Sequence, residues 1–299
     1  MKHLLYILLF CSCVLKAQEQ KYILLDSITA YYKVKQYTLD TSPYGVKSTI
    51  EIYNVFSKFY GKEAGLDYIV LISVTPDFDN GTNWEEVNLE KFENSLFNAK
   101  DLFKDIHNLV LDGSTRKIPS NINAWKVYPK LVKKEGNKYY AAKNTWIESF
   151  YCMEAPQEIV ASGGYVINTQ QPILSAEKLK KLYEKNFSTN GLSPFELLGR
   201  CEMSVVPLYL EHIYLTNVEE KGKDTIYSFY QLTGHENRHI YRFAYIKNKG
   251  IVAGGYDDFF HRQRYYGKWG AKEYTPLKLN ELLWAEELKK EWETKTDKQ

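Results

Sequence analysis

Residues 204–260 constrain the fold most strongly, because they combine β-prone runs with short turn signals. Tyrosine, isoleucine and valine alternate with polar residues along this stretch, as in strands of a half-exposed sheet. Residues 240–246 and 251–253 flank a turn-like sequence at residues 247–250, and this arrangement predicts two strands joined by a turn. The 25 tyrosines of the chain suit such faces, because their rings pack while their hydroxyl groups stay in water.

Strands are also predicted earlier in the chain. Residues 67–75 read DYIVLISVT, an apolar run that predicts a buried strand. Residues 130–132 and 139–142 flank the sequence EGNK at residues 135–138, which is typical of a hairpin turn. Residues 48–60 are compatible with a helix or a strand, because apolar residues at helical spacing occur together with β-branched residues.

Three segments have features of helices. Apolar residues recur every three or four positions over residues 88–111. The segment 175–190 starts with a good N-cap residue, Ser175, and the segment 276–293 starts with Pro276, which suits the first helical position. No repeat or linker divides the chain. The sequence therefore predicts an α+β fold: a single domain over residues 18–299, with a largely antiparallel twisted β-sheet packed by two or three α-helices.

The N-terminus has the layout of a secretory signal peptide. Lys2 precedes an apolar core at residues 4–10, and Ala17 supplies a small residue before polar residues. The sequence therefore predicts a signal peptide at residues 1–17 and an exported product, periplasmic or secreted. A lipid-anchored protein of the outer envelope is the alternative, with Cys11 or Cys13 as the acylated residue.

The predicted mature chain has no net charge. Cleavage removes two of the 39 basic residues, and the remaining 37 equal the 37 acidic residues. This balance argues against nucleic acid or an anionic membrane as a partner, and no apolar run beyond the leader approaches the ~20 residues of a membrane span. Cys152 and Cys201 remain after cleavage. They form a candidate disulfide in an exported chain, with two buried free thiols as the alternative.

The pentapeptide HENRH at residues 235–239 matches the HExxH pattern of zinc peptidases. On a helix, His235 and His239 share one face with Cβ atoms about 5–6 Å apart and can bind one zinc ion, while Glu236 acts as the general base. On a strand the two histidines are about 13 Å apart and cannot share an ion. A zinc-dependent hydrolase therefore predicts a helix over about residues 234–249.

Two features favour a loop and a strand over this helix. Arg238 places a charge where the peptidase pattern has an uncharged residue, and the residues that follow the motif have the pattern of strands. We therefore expect an exported binding or envelope-associated interaction protein without a cofactor, whose ligand or partner the sequence does not define. Enzymatic activity stays open.

Two alternative functions follow from particular side chains. The first is the zinc-dependent hydrolase, with Glu236 as the catalytic residue and His235 and His239 as zinc ligands. The second is a carbohydrate-binding module in which the aromatic side chains of residues 265, 266 and 269 stack on sugar rings.

Overall fold

The structure is a computed structural model that describes residues 20–57, 67–78, 82–111, 128–156, 166–186, 212–232, 240–260 and 274–296. The strands within these ranges are β1 (Tyr22–Leu24), β2 (Lys33–Asp40), β3 (Thr49–Ser57), β4 (Asp67–Val74), β5 (Trp84–Val87), β6 (Lys130–Glu135), β7 (Lys138–Ala142), β8 (Thr145–Met153), β9 (Val166–Asn168), β10 (His212–Lys221), β11 (Asp224–Leu232), β12 (Arg242–Ile246), β13 (Gly250–Gly255) and β14 (Leu283–Trp284). The α-helices are α1 (Leu25–Thr29), α2 (Leu102–Leu111), α3 (Ala176–Asn186) and α4 (Glu286–Thr296).

The strands form three sheets, and this finding overturns the predicted α+β class. The orders are β1-β6-β7-β5 in the outer sheet, β2-β3-β4-β8-β9 in the central sheet and β10-β11-β12-β13-β14 in the third sheet. Most pairs are antiparallel, while β1–β6 and β8–β9 are parallel. The part of the chain that the structure describes is mostly β, with 48% strand and 23% helix. The prediction of one sheet packed by two or three helices is wrong, because the strands form three sheets. One face of the central sheet packs on the third sheet, and the other packs on the outer sheet together with α2.

The central sheet is buried on both faces, because successive residues of its strands are apolar. In β4, Ile69 and Leu71 belong to the core shared with the third sheet, whereas Val70 and Ile72 belong to the core shared with the outer sheet. All four side chains are at most 1% exposed. A strand with two apolar faces requires a layer on each side. The third sheet supplies one layer, and the outer sheet together with α2 supplies the other.

Several strand predictions are confirmed. The buried strand predicted at residues 67–75 is β4. The hairpin predicted at residues 135–138 joins β6 and β7, with Gly136 in the left-handed region at φ +60°. The two strands predicted within residues 240–253 are β12 and β13, joined by a turn. The segment 48–60, for which the sequence allowed a helix or a strand, forms β3 as far as Ser57.

The central and third sheets stack face to face and are joined along both lateral edges. At one edge Leu39 of β2 bridges Ala285, next to β14. The backbone N–H of Thr38 also donates to both carboxylate oxygens of Glu287, each at 3.1 Å. At the other edge a backbone N–H in the segment after β9 donates to the carbonyl of Leu215 in β10 at 2.9 Å. The two sheets, which we call the sandwich, therefore enclose one shared apolar core.

The segment 88–111 forms an α-helix only at its C-terminal end, so this prediction is partly wrong. Two 3₁₀ turns, Leu89–Ser95 and Ala99–Asp101, precede α2. The side chains of Asn88 and Asn98 each accept a backbone N–H two residues ahead, at 3.0 and 3.1 Å. Such local bonds start a new turn and interrupt a continuous helix.

The prediction of a helix over residues 276–293 is also partly wrong, because α4 begins only at Glu286. The backbone carbonyls of residues 277–279 accept hydrogen bonds from the side chain of Arg242. Leu283 and Trp284 then form β14, which pairs with β13. By contrast, the helix predicted at residues 175–190 is confirmed as α3.

Aromatic side chains close one end of the sandwich, where β2 ends and β3 begins. We call this region the aromatic end, and its residues are Tyr44, Phe78, Phe259, Phe260 and Tyr274. The rings of Tyr44 and Phe260 stack with centroids 4.2 Å apart. The opposite end of the sandwich holds the start of β2 and the β10–β11 and β12–β13 turns.

Candidate functional site

The predicted zinc site lies outside the described residues. His235, Glu236 and His239 follow Leu232, which ends β11. The next strand, Arg242–Ile246, shows that the chain does not continue as one helix from the motif to the following turn. The metal ligands and the catalytic role of Glu236 stay predictions.

Two other predicted sites also extend beyond the described residues. Tyr265, Tyr266 and Trp269, the side chains of the carbohydrate hypothesis, lie outside these ranges. Cys152 is buried in β8, with 7% of its surface exposed, whereas Cys201 is not described. The disulfide between the two cysteines therefore stays a prediction.

A largely buried ion pair at the aromatic end joins Arg242 of β12 to Asp257. Nη2 of Arg242 donates to Oδ2 of Asp257 at 2.6 Å, and Nη1 donates to the carbonyl oxygens of Lys278 and Leu279 at 2.7 and 3.0 Å. Oδ1 of Asp257 accepts the backbone N–H of Leu277 at 3.2 Å. The pair therefore ties β12 to the irregular segment that precedes β14.

The surroundings of this pair indicate a structural role. Burial disfavours the charge of the Arg242 guanidinium, but Asp257, Tyr230 and Tyr44 together outweigh burial and raise the pKa of Arg242. The Tyr44 hydroxyl is fully buried, and burial raises its pKa well above the usual range. This hydroxyl accepts the backbone N–H of Tyr256 at 2.8 Å. These polar groups are bonded within the protein and stabilise the closed end of the sandwich.

A second polar cluster lies between the central and outer sheets and reaches the surface. Glu51 of β3 is half-buried, and its carboxylate accepts hydrogen bonds from Nε1 of Trp84 at 2.6 Å, the hydroxyl of Tyr53 at 2.7 Å and Nε2 of Gln36 at 3.3 Å. All three donors are neutral. In the described part of the chain, no cationic side chain forms an ion pair with Glu51. We call these residues the Glu51 cluster.

Lys133 of the outer sheet borders the Glu51 cluster. Its ammonium nitrogen lies 4.1 Å from the ring centroid of Trp84 and 2.9 Å from a carboxylate oxygen of Glu135. A cation over an indole face is attracted by the negative charge of that face. The pKa of Tyr53 is raised, first by burial and then by the charge of Glu51. The cluster therefore holds an anion, a cation and an aromatic ring in fixed positions.

Sequence reasoning did not identify the Glu51 cluster, because its residues are distant in the chain. Gln36, Glu51, Trp84 and Lys133 belong to β2, β3, β5 and β6, and they become neighbours only through the packing of two sheets. One local signal was available. Glu51 is a charged residue inside an apolar strand, where a charge requires partners.

Comparisons with protein-family models, with curated proteins and with solved structures found no match. In the part of the chain that the structure describes, no helix is both long enough and apolar enough to cross a membrane. The same part contains no group of three or more His, Cys, Asp and Glu side chains placed to hold a metal ion. The chemistry of the side chains is therefore the basis for a functional proposal.

Proposed function

We propose that this protein is an exported binding or envelope-associated interaction protein whose ligand contacts the Glu51 cluster. One observation carries the proposal: three neutral donors hold the half-buried carboxylate of Glu51 in place, and no described cation neutralises it. An ionised carboxylate offers about four lone-pair sites, so three hydrogen bonds leave room for a further donor. A ligand that brings a hydrogen-bond donor fits this site.

The chemistry of the cluster favours an amine as the ligand group, with a hydroxyl as the weaker option. An ammonium group forms a charge-assisted hydrogen bond with a carboxylate, which is roughly twice as strong as a neutral one. The ammonium nitrogen of Lys133 lies 4.1 Å from the ring centroid of Trp84, so a cation is already accommodated beside this indole. Polyamines and amino sugars combine an amine with further donors.

A thermal-shift screen tests this proposal with polyamines, amino sugars and neutral oligosaccharides. A ligand of the cluster is expected to raise the Tm of the wild-type protein but not of Glu51→Gln, because the amide keeps the shape of the side chain without its charge. Glu86→Gln is the matched control, since Glu86 lies on β5 and its exposed carboxylate pairs with Lys138. Equal shifts in the two variants would place the ligand elsewhere. No shift with any of these compounds would contradict binding at Glu51.

A zinc-dependent hydrolase is the second proposal. The HExxH pentapeptide favours it, although β12 at Arg242–Ile246 contradicts the full helix over residues 234–249 that the hydrolase predicts. The test is the zinc content of protein that is prepared with zinc and dialysed without chelator. About one zinc per chain is expected, held by His235 and His239 and lost in His239→Ala. Glu236→Gln should then abolish hydrolysis and leave folding intact. Protein without zinc would contradict this proposal and leave the binding function.

Export is also a proposal, based on the signal-peptide layout of residues 1–17, with the single domain at 18–299. The intact mass of the protein recovered from its native cell measures the processing. A chain that starts at Gln18 is expected. An acyl group on Cys11 or Cys13 would support the lipid-anchored alternative, whereas an unprocessed chain would contradict both.

A further inference from the structure

Five lysines converge at the end of the sandwich opposite the aromatic end. We call this region the lysine end, and its lysines are Lys33, Lys35, Lys221, Lys223 and Lys249. The first two begin β2 and point toward the third sheet, because they alternate in register with the core residues Tyr37 and Leu39. The other three lie at the β10–β11 and β12–β13 turns. The antiparallel topology therefore brings three separate chain segments together at this end.

Lys249 is the fixed cation of the lysine end. Its ammonium nitrogen lies 2.8 Å from Oδ2 of Asp224 and 3.1 Å from Oε2 of Glu291. Its carbonyl oxygen accepts the hydroxyl of Tyr37 at 3.2 Å, and Nε1 of Trp292 donates to Asp224 at 3.2 Å. Burial opposes the charge of Lys249, but the hydrogen bonds to Asp224 and Glu291 and the charges of these carboxylates together outweigh burial and raise its pKa.

Two further lysines contact α4, the helix that contains Glu291 and Trp292. The ammonium nitrogen of Lys221 lies 4.3 Å from the ring centroid of Trp292. The ammonium nitrogen of Lys223 lies 3.9 Å from a carboxylate oxygen of Glu291. Glu291 is thus shared by Lys223 and Lys249, and among the described residues only two carboxylates, those of Asp224 and Glu291, form ion pairs with the five lysines.

Lys35 has no such contact. It is half-buried, and its side chain forms no hydrogen bond or ion pair with any other residue in the described ranges. Burial lowers its pKa, and the positive charges of Lys33 and Lys249 lower it further, against the opposing effect of Asp224 and Glu291. An anion from outside the chain would stabilise the ammonium group of Lys35.

We propose that the lysine end binds a small oxyanion of the phosphate class, with Lys33 and Lys35 as its principal ligands. These two residues are two positions apart on one face of β2, about 7 Å along the strand. Their long side chains can therefore close on one oxyanion. Lysine binds phosphate as a point charge with three rotatable donors. Inorganic phosphate, a phosphate ester and a phospholipid headgroup present this same chemistry.

The oxyanion site is independent of the Glu51 cluster. Lys35 lies opposite Asn54 in the β2–β3 pair. Asn54 points to the third sheet, where its side-chain amide forms two hydrogen bonds with the backbone of Ile251 at 2.9 and 2.7 Å. Glu51 is three residues from Asn54 on the same strand and therefore points to the opposite face. Either site can be disproved without affecting the other.

Tryptophan fluorescence measures binding of sodium phosphate, with sodium chloride at equal ionic strength as the reference. Trp292 reports on the site, because Lys221 lies over its ring. Lys35→Gln is expected to weaken phosphate binding about tenfold or more. Lys178→Gln, an exposed lysine of α3, is the matched control and should bind as the wild type does. Lys33→Gln is the second variant, and we expect it to weaken binding as well.

Two results would overturn the proposal: no phosphate signal beyond that of chloride, or equal affinities in the Lys35→Gln and Lys178→Gln proteins. Sedimentation with phosphatidylcholine vesicles, with and without phosphatidic acid, distinguishes the sources of the oxyanion. Sedimentation that requires phosphatidic acid and Lys35 would identify a lipid headgroup. Phosphate binding without sedimentation would identify a free oxyanion. Glu51→Gln should leave the phosphate affinity unchanged.

Discussion

The two ends of the sandwich place cations in opposite situations. At the aromatic end, Arg242 is largely buried, and its guanidinium is bonded to Asp257 and to backbone carbonyls. At the lysine end, Lys35 is half-buried, and its ammonium group has no hydrogen bond or ion pair with the other described residues. A cation at the end of a sheet can therefore have either of two roles. A fully bonded cation stabilises the fold, whereas an unpaired one is suited to an external anion.

Arg242→Met should have the largest effect of the substitutions that test this contrast. It leaves Asp257 without its cation, and loss of one partner of a buried ion pair costs about 3–5 kcal/mol. We expect about 3 kcal/mol, because Asp257 keeps 14% of its side chain exposed. Urea unfolding measures the change. Lys247→Gln, which removes an exposed pair with Glu154, should cost at most about 1 kcal/mol. Equal losses in the two variants would contradict the contrast.

Tyr44→Phe should have the next largest effect at the aromatic end. It removes the acceptor of the Tyr256 N–H in a fully buried place, and an unsatisfied buried donor costs about 1–3 kcal/mol. Thermal and urea unfolding measure the loss. Tyr31→Phe is the control, because the Tyr31 side chain is 54% exposed. If the two variants are equally stable, the hydroxyl of Tyr44 has no structural role.

Lys249→Gln should destabilise the lysine end by about 1–2 kcal/mol, because it leaves the carboxylate of Asp224 with one fewer donor. The raised pKa of Lys249 means that the folded protein holds this proton more tightly than the unfolded chain. The stabilisation by its charge is therefore fully present below pH 10.5 and is lost as the pH rises above that value. Unfolding measured from pH 9 to pH 11 should show the wild type approaching the variant. A constant difference would contradict this ion pair.

Lys35→Gln should have the smallest effect on stability, within about 0.5 kcal/mol and toward a gain. The lowered pKa of Lys35 means that its charge is unfavourable in the folded state. This penalty is present at neutral pH and disappears as the pH rises through the lowered pKa toward 10.5. Any gain in the free energy of unfolding of Lys35→Gln over the wild type should therefore decrease between neutral pH and pH 10.5. A loss above about 1 kcal/mol would assign Lys35 a structural role and weaken the contrast.

Local patterns predicted those elements whose structure depends on neighbouring residues. The strand β4 follows from one apolar run, and the β6–β7 hairpin follows from a turn that Gly136 permits. The predictions of helices at residues 88–111 and 276–293 are partly wrong, because other interactions override helical periodicity. Asn98 starts a new turn in the first segment, and Arg242 binds the backbone carbonyls of the second.

The candidate sites depend on contacts between distant segments, which no local pattern contains. Glu51 meets Trp84 only because the central and outer sheets pack together. Lys35 and Lys249 belong to different sheets and share one end of the sandwich through the direction of their strands. The balanced net charge of the predicted mature chain also gives no sign of the lysine end, because a net charge does not show where the charged residues lie in the fold.

The edge that joins β2 to the segment around β14 is made by residues from opposite ends of the chain. Thr38 and Glu287 are 249 positions apart. During synthesis, this edge of β2 therefore stays uncovered until the chain has been made as far as Glu287. Pairings between distant residues slow folding, and an uncovered strand edge can pair with another molecule. Until this edge is covered, β2 of a newly made chain can therefore pair with a strand of a neighbouring molecule.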